Sequence, residues 1–140
     1  MRTKLACLAL ALSTTAFTAP LAHAAVPCDD FQIVVNNQLS DDLLGTNIEL
    51  NGASLEPGGI HKLDSHASQT FTVKKSKEGE PMVGKLVFNT VSLPSKEVKI
   101  KFNLSNQGLV CQHDDHTGDN DYSVDKTRLP NKVEYTIASK

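Results

Sequence analysis

The chain has 140 residues, with 14 Lys and Arg against 16 Asp and Glu, a formal net charge of -2, no Trp and two Tyr. Mild acidity without a basic face excludes nucleic acid as a partner, because phosphates are neutralised by clustered Lys and Arg. The shortage of Trp and Tyr argues against a membrane-inserting surface and against an aromatic platform for stacking sugars.

Residues 1–24 read as a secretory signal of bacterial type. Arg2 and Lys4 supply the positive start, Leu5 to Leu12 a short apolar run, and Ala22-His23-Ala24 the small-x-small pattern of a cleavage site. Cleavage is expected near Ala24, leaving residues 25–140 as one domain, secreted or periplasmic. The apolar run is shorter than the roughly 20 residues that cross a bilayer. Cys7 precedes most of it and Lys4 occupies the branched position of a lipobox, so a lipoprotein is not expected. Removing Arg2 and Lys4 from the 14 basic residues leaves 12 against 16 acidic ones, a formal charge of -4. Cleavage also leaves only Cys28 and Cys111, an even pair in an oxidising compartment, and predicts a disulfide between them.

In chain order, Phe31, Ile33 and Val35 alternate with polar or lesser positions and predict a first strand ending at the turn-forming pair Asn36-Asn37. An Asp-rich connection over 39–45 leads to a short strand at 46–51, closed by Asn51-Gly52. After Pro57-Gly58-Gly59, residues 60–63 read as an edge piece. Residues 70–75 place Phe71 and Val73 on one face, and 85–89 place Leu86 and Phe88 together. The charged segment 76–84 between them reads as a mobile hairpin loop. Lys74, Lys75 and Lys77 form the single basic cluster, broken by Glu78 and Glu80, and read as a solvated strand end.

The clearest strand runs from Glu97 to Leu104, where Val98, Ile100, Phe102 and Leu104 alternate with Lys99, Lys101 and Asn103. A turn at 105–108 then delivers Cys111. Tyr122 and Val124 mark another short strand, and Pro130-Asn131 turns into a last one with Val133, Tyr135 and Ile137 inward. No helical spacing is sustained after the signal. About seven or eight short strands between turn signals predict an all-β domain, a single antiparallel β-sandwich with a small barrel as the alternative closure.

The most polar segment, His113 to Asp121, holds two imidazoles and four carboxylates in nine residues and is the candidate site. Such groups on a turn repel one another unless a cation is present, which makes a metal ion the chemical hypothesis. Asp115, Thr117, Asp119 and Asp121 are spaced as in the first half of a calcium loop. Asn120 stands where that loop has Gly, and Lys126 where it has its bidentate Glu. His113 and His116, with Asp119 or Asp121 and with His61 or His66 brought in from elsewhere, form the softer alternative for zinc or copper. In this segment alone the chain resembles copper-zinc superoxide dismutase, but the paired His-x-His of that family is missing, so its redox activity does not carry over. The plainer alternative is an acidic surface loop that only makes turns.

Hydrolytic chemistry finds little material. Asp64, Ser65, His66 and Ser68 are neighbours, yet adjacent strand residues point to opposite faces and form no triad. Paired glycosidase carboxylates across a groove are not indicated, since the acids cluster in one segment.

The early strand ending in Asn36-Asn37, the strand before Asn51-Gly52, and the runs Gln69-Thr70-Phe71-Thr72-Val73 and Gly84-Lys85-Leu86-Val87-Phe88 together resemble small exported sandwich proteins of the aegerolysin and actinoporin-like kind. The resemblance covers about residues 31–102 and implies a sandwich fold. It also implies lipid binding through aromatic-rich surfaces, which this chain does not carry. The expected function is therefore a non-catalytic binding or interaction module for an extracellular or periplasmic ligand or protein, with the 113–121 loop as its ligand or cation site. Its rivals are an exported zinc or copper enzyme using His113, His116 and one Asp, and a lipid-binding effector. Exposed edge strands allow either a monomer or a dimer by strand addition.

Overall fold

The computed structural model describes residues 26–59 and 61–140, so the expected signal over 1–24, with its cleavage point, lies outside the described residues. Ten strands are present: β1 (Gln32–Asn37), β2 (Leu43–Asn51), β3 (Ser54–Glu56), β4 (Lys62–Leu63), β5 (Ser68–Lys74), β6 (Met82–Thr90), β7 (Glu97–Gln107), β8 (Val110–Asp115), β9 (Ser123–Leu129) and β10 (Lys132–Ala138). They form two five-stranded sheets, ordered β3-β5-β1-β10-β9 and β4-β2-β6-β7-β8. The all-β expectation holds, and no helix occurs among the described residues.

Alternation builds both layers. In β7, Val98, Ile100, Phe102 and Leu104 are fully buried while Glu97, Lys99 and Lys101 face water. In β10, Val133, Tyr135 and Ile137 are buried at every second position. These rows meet Ile33, Val35, Phe71, Leu86 and Phe88 in one hydrophobic cluster shared by the two sheets. Burying each such side chain contributes about 1.5 to 3 kcal/mol, which is what holds short strands together. Gly84 and Phe102 are cross-strand partners, and the Phe102 ring fills the space beneath the glycine. A Cβ at position 84 would lie 2.2 Å from the ring carbon Cζ, so the approach requires glycine.

Two expectations need correction. The strands number ten instead of seven or eight, because Ser54–Glu56 pairs with β5 between two turn signals and because β8 continues to Asp115. The pairing is not wholly antiparallel, for β1 and β10 run parallel from Gln32↔Lys132 to Asn37↔Ile137. Those strands are the first and the last in sequence, so no tight turn dictates their relative direction. β1 ends at Asn36-Asn37 as expected, and Asn37 is buried there, 1% exposed. Its Nδ2 donates to the carbonyls of Asp41 (2.9 Å), Leu63 (3.3 Å) and Asp64 (3.2 Å), and its Oδ1 accepts the Leu39 N–H (3.0 Å).

Cys28 and Cys111 form the expected disulfide, 83 residues apart, and tie the segment before β1 to β8. Closing a loop of that length contributes about 4 to 5 kcal/mol in the chain-entropy account. Asn106, opposite Cys111 in the β7–β8 pair, accepts the Cys28 N–H at 2.7 Å and donates to the Lys77 carbonyl at 2.8 Å. The supposed mobile hairpin loop is thereby fastened at Lys77. On the same side Arg128 reaches from β9 to the other sheet. Its Nη2 donates to the Cys111 carbonyl at 2.8 Å while its guanidinium lies 4.7 Å from the centre of the Phe31 ring.

Candidate functional site

Building the 113–121 segment from its residues separates it into two parts. Residues 113–115 belong to β8, and the alternation that buries Cys111 carries His113 to the inner face as well. This corrects the expectation of a continuous loop: a histidine occupies a position that the strand period assigns to the core. Its ring stacks on Phe102 (5.7 Å between centroids) and on Phe31 (6.4 Å).

The His113 Nε2 is 2.8 Å from the Tyr135 hydroxyl, which in turn donates to Asp115 Oδ1 at 3.3 Å. Since the phenol has one proton and spends it on Asp115, Nε2 is the donor in the His113–Tyr135 bond, and the neutral ring carries its proton there. Nδ1 is then a bare lone pair, buried without a partner. Burial, with Lys126 and then Arg128 adding to it against the pull of Asp115 and Asp114, lowers the His113 pKa from 6.5 to about 4. Burial and the Asp115 carboxylate likewise push the Tyr135 phenol up from its ordinary value. Through its bonds to His113 and Asp115 on β8, the Tyr135 hydroxyl of β10 joins the two sheets.

Residues 116–121 perform a different task. β8 pairs with β7 only from Phe102 to Gln107, which leaves the backbone of Glu97 to Lys101 without a strand on that side. The segment supplies the partners. His116 N–H donates to the Lys101 carbonyl at 2.7 Å, and Thr117 Oγ1 accepts the Lys101 N–H at 3.1 Å. Asn120 Oδ1 accepts the Lys99 N–H at 2.7 Å, and its Nδ2 donates to the Lys99 carbonyl at 2.9 Å. Asp121 Oδ2 accepts from Glu97 N–H at 3.4 Å. Open strand edges invite pairing with other chains, and here polar side chains cover one.

The candidate ligands are accordingly dispersed. His113 faces the core, Asp115 accepts from Tyr135 and from the Thr117 N–H (3.1 Å), and Asp121 serves the β7 edge. His116 and Asp119 are exposed. His61 is elsewhere, its Nε2 3.0 Å from the Gly58 carbonyl. Among the described residues, no three His, Cys, Asp or Glu side chains converge as metal ligands do.

Another surface brings polar groups together. On the outer face of the second sheet, register aligns Glu49 with Lys85 and Lys85 with Lys101, and His116 follows beside Lys101. The adjoining row reads Asn51, Val83, Asn103 and Asp114. Between the rows lies a groove of about 270 Å³, lined by Glu49, Lys85, Lys101, Asn103 and His116, with Val83 half exposed within it. A second groove of about 540 Å³ meets the first at Asn103 and runs between Ser105, Gln112 and the 79–81 loop. Of this face only His116 was a candidate from sequence. The outward alternation of Lys85 and Lys101 was visible, but their opposition depends on strand register.

No protein-family model matches the chain, and no curated protein matches it in sequence.

Proposed function

We propose that the protein is an exported, non-catalytic β-sandwich binding module whose ligand seat is the outer face of β2, β6 and β7. One observation carries this reading: the groove at the Lys85–Lys101 row sets charged, amide and exposed apolar side chains side by side on rigid strands. Convergent polar groups around an apolar patch are the usual composition of a small-ligand site, and about 270 Å³ is near the lower end of their size range. The disulfide between Cys28 and Cys111 is compatible with an oxidising, exported setting. His113 and Tyr135, which have the most displaced titrations of the described residues, are turned inward and hold the sheets together.

The test is a shift-mapping screen of the ¹⁵N-labelled mature protein against amino acids, dipeptides, neutral sugars and organic acids. Perturbations gathered at Val83, Lys85, Lys101 and Asn103 are expected for at least one class. A screen in which that face stays silent contradicts the proposal.

A further inference from the structure

Resting on the binding-face reading above, we infer that Lys85, Lys101 and His116 form a seat for an oxyanion, a phosphate, sulfate or carboxylate borne by the ligand. The first ground is electrostatic. Lys85 and Lys101 are direct cross-strand partners with both side chains outward, and like charges placed opposite one another destabilise a sheet. Of the other described lysines, Lys62 pairs with Asp42 (3.2 Å), Lys74 with Asp30, Lys99 with Glu97 (3.1 Å) and Lys132 with Glu134 (3.6 Å), while Lys75, Lys77, Lys96, Lys126 and Lys140 have no carboxylate partner among the described residues but are not set opposite another lysine. Neither Lys85 nor Lys101 has one within 4 Å among the described residues, although Glu49 is registered beside Lys85.

The second ground is shape. The two lysines do not stand on an open sheet face but line a groove with Glu49 at its Lys85 end, and His116 closes the row at the other end with its ring nitrogens. That row is fixed from behind, since the Lys101 backbone is held by His116 and Thr117. Asn103 and the half-exposed Val83 lie one row along, where they would meet the body of a molecule whose anionic end sits between the lysines. An oxyanion there removes the repulsion and accepts from several donors at once, with charge-assisted hydrogen bonds stronger than neutral ones.

The experiment titrates the ¹⁵N-labelled mature protein with inorganic phosphate and with sulfate, against sodium chloride at matched ionic strength. Saturable shifts at Lys85, Lys101 and His116 are expected, with affinity reduced about tenfold or more in Lys85→Gln and in Lys101→Gln, as for loss of one charge-assisted bond. In phosphate-free buffer, Lys101→Gln is expected to melt no lower than the parent, because a repulsive pair is relieved. Shifts equal to the chloride control, shifts spread evenly over Lys62, Lys74 and Lys132, or binding that survives both substitutions would overturn the inference. Phosphatidylglycerol vesicles that sediment the parent but not Lys101→Gln assign the oxyanion to a lipid headgroup, and phosphate binding without sedimentation assigns it to a soluble ligand; both support the seat. Neutral ligands that move Val83 and Asn103 while phosphate moves nothing overturn the oxyanion and leave the binding face standing. A face silent to every probe overturns both.

Discussion

Asn120 stands beside Lys99 in place of a strand: its side-chain amide accepts the Lys99 N–H at 2.7 Å and donates to the Lys99 carbonyl at 2.9 Å. These are the two bonds that an antiparallel neighbour would make. Thr117 and Asp121 treat Lys101 and Glu97 in the same manner, each with the groups it has. The residue types that make 113–121 look like a cation loop are thus also those that can satisfy a strand edge, since both tasks select side-chain oxygens and amides.

Replacing Asn120 by Ala removes both bonds to Lys99 and returns that part of β7 to water. Amide exchange at Lys99 should accelerate about fivefold, in line with a net loss of about 1 kcal/mol. Asn120→Asp keeps the acceptor and loses the donor, so its effect should be intermediate. Exchange at Lys99 that is unchanged in Asn120→Ala would show that the segment does not protect the edge.

His113 makes stability fall with acid. Its pKa is lowered in the fold, from 6.5 to about 4, so the unfolded chain binds a proton at pH values where the folded one does not. The contribution is complete above about pH 6.5 and is lost progressively as the pH drops towards about 4, amounting to about 3 kcal/mol in all. His113→Gln, which retains an amide donor for Tyr135, should lose less stability than the parent between pH 7 and pH 4. Urea midpoints measured across that range test the point, and parallel profiles for the two proteins would refute it.

Gly84 is required by the ring below it. In Gly84→Ala the added carbon meets Phe102 Cζ at 2.2 Å, and the displacement should cost about 1 to 3 kcal/mol. The double substitution Gly84→Ala with Phe102→Leu makes room and should recover part of that loss. Calorimetric melting of the three proteins decides it; a melting temperature unchanged in Gly84→Ala would contradict the contact.

Asn37 is the other position where a small change has a large effect. Asn37→Ala strips the donor from the carbonyls of Asp41, Leu63 and Asp64, and the acceptor from Leu39 N–H. About 2 to 3 kcal/mol of destabilisation is expected, since buried backbone groups are left unpaired. Chemical denaturation measures it, and a loss under about 0.5 kcal/mol, the range of ordinary surface substitutions, would mean that Asn37 is dispensable.

Much of the architecture was legible in side-chain order. The buried rows of β7 and β10 follow directly from the period-2 pattern, and the Cys28–Cys111 pairing follows from parity once the signal is set aside. What the pattern lacked was anything nonlocal. The parallel β1–β10 pairing leaves no local mark, because each strand reads the same in either direction. β8 was not read beyond Cys111 because Gln112 and the imidazole of His113 count as polar, whereas here aromatic neighbours and a bond to the Tyr135 hydroxyl hold the ring in the core. Asn37 was legible as the end of the first strand, but not that its side chain is used inside the molecule. The Lys85–Lys101 row required the register of three strands, which no single stretch contains.

The outer face of β2, β6 and β7 is the proposed ligand surface, while the His- and Asp-rich segment closes a strand edge and joins the sheets. Parallel shift mapping of the ¹⁵N-labelled mature protein, with small organic anions in one series and calcium, zinc or copper ions in the other, tests it most directly. Saturable changes at Val83, Lys85, Lys101 and Asn103 are expected in the first series and none centred on 113–121 in the second. Stoichiometric metal-induced changes at His113, Asp115, His116, Asp119 and Asp121, with the sheet face silent to every anion, would contradict it.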